Sequence, residues 1–241
     1  MKISIIVPAF NEEKLISETL RRITLATAAF SGRGWDSELI VCDNNSTDQT
    51  AALARVAAAQ VVFEPVNQIA RARNTGAAAS TGDWLLFSDA DSHPGPELFA
   101  DVAEAIQSGR CLAGGSTVRL DSSKLAGRLM VGCWNLISRC GKFLAGSFIF
   151  CETAAFRQMG GFSLKFFASE ELDLSQRLKK LAAQSSKTII VLHHHPLLTS
   201  ARKFHLYTGW EHLRFLCKTA LGLGRTLKSA KECHLWYDGR R

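Results

Sequence analysis

Short apolar runs alternate with amphipathic stretches along the first hundred residues. Ile3 to Val7 is an almost unbroken apolar run, the pattern of a strand covered on both faces. Asn11 is then expected to cap a helix with Glu12 and Glu13 in its first turn and Leu15, Ile16, Leu20 and Ile23 at helical spacing. Glu38 to Cys42, Val61 to Phe63 and Trp84 to Ser88 read as further strands. Between them lie helical stretches through Leu53 and Val56 and from Gln68 to Ala79. Strands alternating with helices predict an α/β fold with a largely parallel sheet.

Beyond residue 95 the pattern loosens. A helix is expected from Pro96 to Ile106, a strand after Gly114 and Gly115 to Leu120, and a helix carrying Leu125, Leu129, Trp134 and Ile137. Gly146 to Cys151 reads as strand, Glu152 to Met159 as a short helix, Glu170 to Ala183 as a strong one, and Thr188 to Leu192 as a last strand. His193, His194, His195 and Pro196 then read as a polar strand end before a proline turn. Consecutive strand residues alternate faces, so the three histidines cannot all meet one ion, although one of them could complete a metal shell.

Composition narrows the class. With 241 residues, 46% of them hydrophobic and 21% charged, the chain can bury a sizeable core, which excludes a disordered or fibrous protein. No apolar run approaches the ~18 residues of a membrane span. The apolar start, stopped by Pro8, is too short for a signal-peptide core. Seven cysteines without a CxxC pair argue against zinc ribbons and disulfide frameworks and for a reducing, cytoplasmic setting.

Of the net charge of +7, the tail holds +6: residues 201–241 have nine basic and three acidic residues. On a helix at about 100° per residue, Lys203, Arg214, Lys218, Arg225 and Lys228 fall within a stripe roughly 80° wide. Leu206, Leu213, Phe215, Leu216, Leu223 and Leu227 lie on the other side. Residues 203–231 therefore either pack an apolar face on the body or meet an anionic membrane surface, making the protein peripheral on the cytoplasmic face. The tail has no motif for base readout, so no nucleic-acid partner is expected.

Candidate chemistry gathers at the ends of the expected strands, where parallel α/β sheets bind ligands. Those ends read Pro8-Ala9-Phe10-Asn11-Glu12, Asp43-Asn44-Asn45-Ser46-Thr47-Asp48 and Asp89-Ala90-Asp91-Ser92-His93. Each alone suits a turn and a helix cap. Asp89 and Asp91, one residue apart, can also face one hard cation, Mn²⁺ or Mg²⁺, shared with substrate phosphates. His93, a further i+2 step along, is a candidate third ligand. The chain has no GxxxxGK[ST] loop and no GxGxxG fingerprint, so phosphates would be held by metal and arginine.

These residues carry a family resemblance. Val7-Pro8-Ala9-Phe10-Asn11-Glu12-Glu13 resembles the opening motif of the family 2 nucleotide-sugar glycosyltransferases, and Asp43 to Asp48 their second motif. Ala72-Arg73-Asn74-Thr75-Gly76 and the run from Thr81 to Asp91 resemble the approach to their metal-binding DxD. Gly160-Gly161-Phe162, followed by Ser169-Glu170-Glu171-Leu172-Asp173-Leu174-Ser175-Gln176-Arg177-Leu178, resembles their acceptor-side motif. The ordered set covers roughly residues 1–200.

The resemblance implies a GT-A fold: a Rossmann-like, mixed but mostly parallel sheet flanked by helices, here with a C-terminal helical tail. It implies one domain over 1–200, with a nucleotide-sugar half (1–110) and an acceptor half (111–200), and the tail at 201–241. Pro8, Ala9, Phe10 and Glu12 would line the nucleoside pocket and Asp43 would read the base edge. Arg73 with Arg71 would face the base or the diphosphate. Asp89 and Ala90 would sit near the ribose and metal, and Asp91 would ligate the metal. Glu171 matches the catalytic base. The family usually has Asp there, which leaves Glu170 and Glu171 both open. Arg202, Lys203 and Asp173 are candidates for a phosphate or the acceptor.

The implied activity is metal-dependent, inverting transfer from a nucleotide-diphospho-sugar, UDP favoured, to a glycan or lipid-linked acceptor. A sugar-phosphate nucleotidyltransferase is a rival, but it would want a glycine-rich basic loop after the first strand. A non-catalytic nucleotide-binding relative is the other.

Overall fold

The apolar start of the chain becomes the centre of the sheet. In the computed structural model, which describes residues 1–122, 125–200 and Cys233, strand β1 (Lys2–Ala9) is buried from Ile3 to Ala9. Its alternation sorts the core into two layers. Ile3, Ile5, Val7 and Ala9 face α1 (Ile16–Ala26) and α2 (Ala28–Ser31), whereas Ile6 faces the other side. Each fully buried Ile, Leu or Phe contributes on the order of 1.5–3 kcal/mol, so a register slip of one residue would be costly.

The chain continues through β2 (Asp36–Asp43), α3 (Thr50–Val56), β3 (Gln60–Phe63), α4 (Ile69–Ala78) and β4 (Trp84–Ser88). Then come β5 (Ser92–His93), α5 (Pro96–Gln107), β6 (Cys111–Leu120), α6 (Leu125–Gly141) and β7 (Phe148–Glu152). The last described elements are α7 (Thr153–Gln158), α8 (Glu170–Gln184) and β8 (Thr188–Thr199).

The eight strands form one sheet in the order β3-β2-β1-β4-β7-β6-β8-β5. The first four are parallel, so their carboxyl ends share one edge. β7 runs antiparallel between β4 and β6, and β6 and β8 are parallel. The direction of winding reverses between β1 and β4, which opens a crevice at their carboxyl ends. Phe87 and Ile149 are partners across β4 and β7, so β7 begins at that same edge.

Two expectations need correction, and one element is additional. Helix α1 starts at Ile16 after Leu15, so Asn11 caps nothing. Asn11 has φ 52°, and its side chain is used elsewhere. The strand expected to stop at Leu192 runs on to Thr199. Its register on β6 shifts between Ser116 paired with Leu192 and Val118 paired with Leu197. That irregularity absorbs the histidines and lets Pro196, which has no N–H to donate, sit within the strand. The two-residue β5 had no sequence signal. It exists because Ser92 and His93 pair with Thr199 and Leu198, more than a hundred residues later.

Candidate active site

The first two strand ends are fastened to each other. Pro8 and Ala9 are buried in β1, paired with Cys42 and Asp43 of β2. Asn44 N donates to Ala9 O at 2.8 Å. The half-buried Asn11 donates its N–H to Ser46 Oγ (3.0 Å) and accepts at Oδ1 from Thr47 N (2.8 Å). Glu12 N donates to Thr50 Oγ1 (2.7 Å), and Glu13 N to Asp48 Oδ2 (3.1 Å). Burial alone would raise the Asp48 carboxyl, but hydrogen bonds from Thr50 and the Glu13 N–H outweigh it and hold it below its ordinary value. Asp43, at the end of β2, is buried and accepts from Ser46 N at 3.1 Å. Phe10 and Glu12 flank this zipped loop pair, Phe10 half-buried and Glu12 buried.

Arg73 is the hub beneath the crevice. It sits on α4, and its side chain is only 2% exposed. Its Nη1 donates to Glu170 Oε1 at 2.6 Å. Its Nη2 donates to Asp89 Oδ1 at 3.0 Å and to Gly146 O at 2.7 Å. The guanidinium lies 5.1 Å from the Phe162 ring centroid, within cation–π range. Burial would lower the Arg73 pKa, but Asp89, Glu170 and Glu171 together raise it, so it stays charged. The expectation that Arg73 faces the base or the diphosphate is therefore corrected: two carboxylates and a carbonyl occupy its fork. Arg71 is half-exposed, with Nε donating to Gln68 Oε1 at 3.2 Å.

Asp89 leaves β4 with its side chain 24% exposed and its N–H bonded to Ser147 O. Ala90 is buried, and its carbonyl accepts from Thr19 Oγ1 at 2.8 Å. Ser92 N donates to Asp89 O at 3.1 Å, which makes Asp89 to Ser92 a turn. The rule that i, i+2 and i+4 share a face holds only for extended backbone, so in this turn it puts neither Asp91 nor His93 on the face of Asp89. His93 lies in β5 opposite Leu198, and burial and then Arg22 hold its imidazole below its ordinary pKa. Among the described residues no group of three or more His, Cys, Asp or Glu side chains converges as a metal cage. His93 is thus removed from the metal set. Asp89 and Asp91 are the first and third residues of that turn, and a carboxylate is the donor type that a hard cation takes alongside phosphate and water.

The first turn of α8 presents three acids with three different fates. Glu170 is buried against Arg73. Asp173 pairs with Arg177 at 2.7 Å, one helical turn on, and Arg177 donates to Met159 O and Gly161 O. Asp173 is thereby committed to the Gly160-Gly161-Phe162 turn rather than to a phosphate or acceptor. Glu171 is half-buried. A Cβ on Gly146 would come within 3.4 Å of its carboxyl carbon and of Arg73 Nη2, which locates Glu171 at the mouth of the Arg73 network. Burial and the neighbouring Glu170 push the Glu171 carboxyl up to about 8, against the opposing pull of Arg73.

Sequence reasoning passed over two positioning side chains. Asn74 both donates to Phe162 O and accepts from Phe162 N, each at 2.9 Å. Gly161, at φ +73°, leaves room for it, because a Cβ there would lie 2.6 Å from Asn74 Oδ1. Asn74 sat inside a recognised motif without an assigned task. Gln68 is buried and donates to Leu164 O and Phe166 O, both at 2.9 Å. Only its long-range contacts reveal it. Arg202, Lys203 and the tail fall outside the described residues. Buried Cys42 and Cys111 have thiols pushed up to about 12 by burial, so they act as core fillers rather than nucleophiles.

This geometry can be set beside known proteins. A dolichol-phosphate mannosyltransferase from Pyrococcus furiosus is 31% identical over 124 residues, covering 48% of this chain and 33% of that protein. The aligned stretch spans only a third of that relative. The mannosyltransferase PcManGT from Pyrobaculum calidifontis, in complex with GDP-Man and Mn²⁺, matches with a TM-score of 0.70 at 19% identity, over 96% of this chain and 64% of that one. TarS from S. aureus in complex with UDP-GlcNAc matches at a TM-score of 0.65 and 20% identity, over 99% and 71% of the two chains. At these identities the likeness establishes the GT-A fold. A family model for glycosyl transferase family 2 matches residues 4–160, well over half of the sequence. The chain belongs to glycosyl transferase family 2.

Proposed function

We propose that this chain transfers a sugar, with inversion, from a nucleoside-diphosphate sugar to a lipid-linked acceptor, with Glu171 as the proton-accepting carboxylate. One observation carries the reading. Of the three acids in the first turn of α8, Glu170 is spent on Arg73 and Asp173 on Arg177, whereas Glu171 stands beside Gly146 next to the end of β4. The lipid-linked acceptor is supported by the similarity to the dolichol-phosphate mannosyltransferase of Pyrococcus furiosus.

The chain's own residues supply most of the chemistry. The zipped loops after β1 and β2 form the rim on which the nucleoside would rest, with Asp43 at the base and Pro8, Ala9, Phe10 and Glu12 alongside. The acceptor oxygen attacks the anomeric carbon from the side opposite the diphosphate. The carbon–oxygen bond to the diphosphate breaks, and its electron pair leaves with the nucleotide. A hydroxyl acceptor passes its proton to a Glu171 oxygen, which must lie within about 3 Å of it. An acceptor phosphate is already ionised and needs no such transfer. A divalent cation, Mn²⁺ or Mg²⁺, held by Asp89 and Asp91, would neutralise charge on the departing diphosphate. Arg73 holds Asp89 in place for that task.

Calorimetric titration with UDP and with GDP, each with Mn²⁺ and with EDTA, tests the reading. Binding of one nucleotide that requires the metal is expected. Failure of both nucleotides to bind in any condition would overturn it.

A further inference from the structure

Helix α6 is apolar on the face it turns to water as well as on the face it packs. Its inner face is well tied to the sheet. Val131 and Trp134 pack against the core, and Ser138 is fully buried. Asn135 accepts from Val118 N at 3.0 Å and donates to Val118 O at 2.9 Å. The outer face should then be polar. Instead Leu125, Leu129 and Leu136 are 69%, 61% and 64% exposed, and Met130 and Ile137 are exposed beside them. Cys133 and Cys140 are exposed on the same side. At 100° per residue these seven positions fill a continuous apolar stripe about 140° wide.

Charge identifies what the stripe meets. Exposed Arg128 and Arg139 lie along one border of it. The sequence holds no Asp or Glu between Asp121 and Glu152. The same arginines open onto a groove of about 710 Å³ between α6 and the ends of β6 and β8, lined also by Arg119, His193, Leu136 and Pro196. A second copy of this face would offer the arginines no carboxylate from α6 or its flanks. Residues 201–241, with nine basic and three acidic residues, bring a net positive charge that does not match the arginine border. An apolar stripe edged by cations matches a lipid surface with acidic headgroups.

We propose that α6 docks this protein on an anionic membrane, with Leu125, Leu129 and Leu136 in the headgroup–acyl boundary and Arg128 and Arg139 on lipid phosphates. The chain from the end of α6 leads straight into Leu144 to Gly146, whose last carbonyl accepts from Arg73. A docked α6 would therefore bring the acceptor side of the crevice to the lipid surface. The inference deepens the lipid-acceptor reading and rests on it for that purpose only.

The test is flotation of the full chain with vesicles of phosphatidylcholine alone and of phosphatidylcholine mixed with phosphatidylglycerol, for wild type, L129E/L136E and R128E/R139E. Wild type is expected to float with the anionic vesicles, and both variants to lose about tenfold or more of that partitioning. Nucleotide binding by calorimetry should be unchanged in both variants, which separates this inference from the transferase reading and reports that the variants are folded. The proposal is overturned if wild type ignores anionic vesicles. It is equally overturned if L129E/L136E floats like wild type, which would hand the role to residues 201–241. Loss of a wild-type dimer in L129E/L136E, without any lipid binding, would assign the stripe to a second copy instead.

Discussion

Replacing Arg73 with Met should damage this protein more through its fold than through its chemistry. The guanidinium and the Glu170 carboxylate are 2% and 3% exposed and 2.6 Å apart. Removing the cation strands a carboxylate in the interior, a class of change that costs roughly 3–5 kcal/mol. Asp89 loses a partner too, but at 24% exposure it keeps contact with water and adds little. For a chain of this size each kcal/mol shifts the melting temperature by about 2–4 °C, so a fall of about 6–20 °C is expected by calorimetry or circular dichroism. R73M/E170L removes both charges and should recover most of the loss, because burying neither charge costs less than burying one. R73K keeps the charge but cannot reach Glu170, Asp89 and Gly146 at once, so it should fall between. An R73M melting temperature within about 2 °C of wild type, or a double variant no better than R73M, would refute this account of the buried pair.

Four other expectations follow from the same site. E171Q should lower kcat by about 10²–10⁴ with a hydroxyl acceptor and far less with an ionised lipid phosphate; equal losses with both would dissociate Glu171 from proton transfer. Because burial and Glu170 push Glu171 up to about 8, its carboxylate form grows as pH rises, so kcat/KM for a hydroxyl acceptor should climb on the alkaline side and E171Q should lack that limb. The linked stability runs the other way: it is present below the ordinary carboxyl range and lost as pH rises through about 8, visible as a falling melting temperature. G161A places a Cβ at φ +73° and 2.6 Å from Asn74 Oδ1, and should cost about 1–3 kcal/mol in denaturant unfolding, with less expected if Asn74 simply swings away.

What could be read from the sequence was whatever depends on near neighbours. The alternation in β1 sorts Ile5 from Ile6, and the strand–helix rhythm yields the parallel half and its carboxyl edge. The GT-A fold was accessible from that rhythm and the motif order together. What failed depends on partners far along the chain. Arg73 meets Glu170 across 97 positions, and no local rule says that an arginine in an amphipathic helix will point inward at a carboxylate not yet made. Asn11 has the residue type of a cap, but its amide is drawn to Ser46 and Thr47, 35 and 36 positions away. His93 was misjudged for a more local reason: the i+2 rule assumes extended backbone, and the Asp89 to Ser92 turn ends that extension. Asp173 and Arg177 are only four residues apart, yet their shared purpose appears only once the Gly161 carbonyl is in view.

The Arg73–Glu170 contact has a consequence for anyone wishing to cut this protein into modules. A fragment ending near residue 160, where the family match stops, would retain β1 to β4 and the zipped nucleoside rim. It would also retain Arg73 and lose Glu170, and with it the whole of α8 and of β8, the neighbour of β6. Such a fragment should express as an aggregating chain rather than as a miniature nucleotide binder. Any division of the molecule has to keep both partners of the buried pair, Arg73 and Glu170, on one polypeptide.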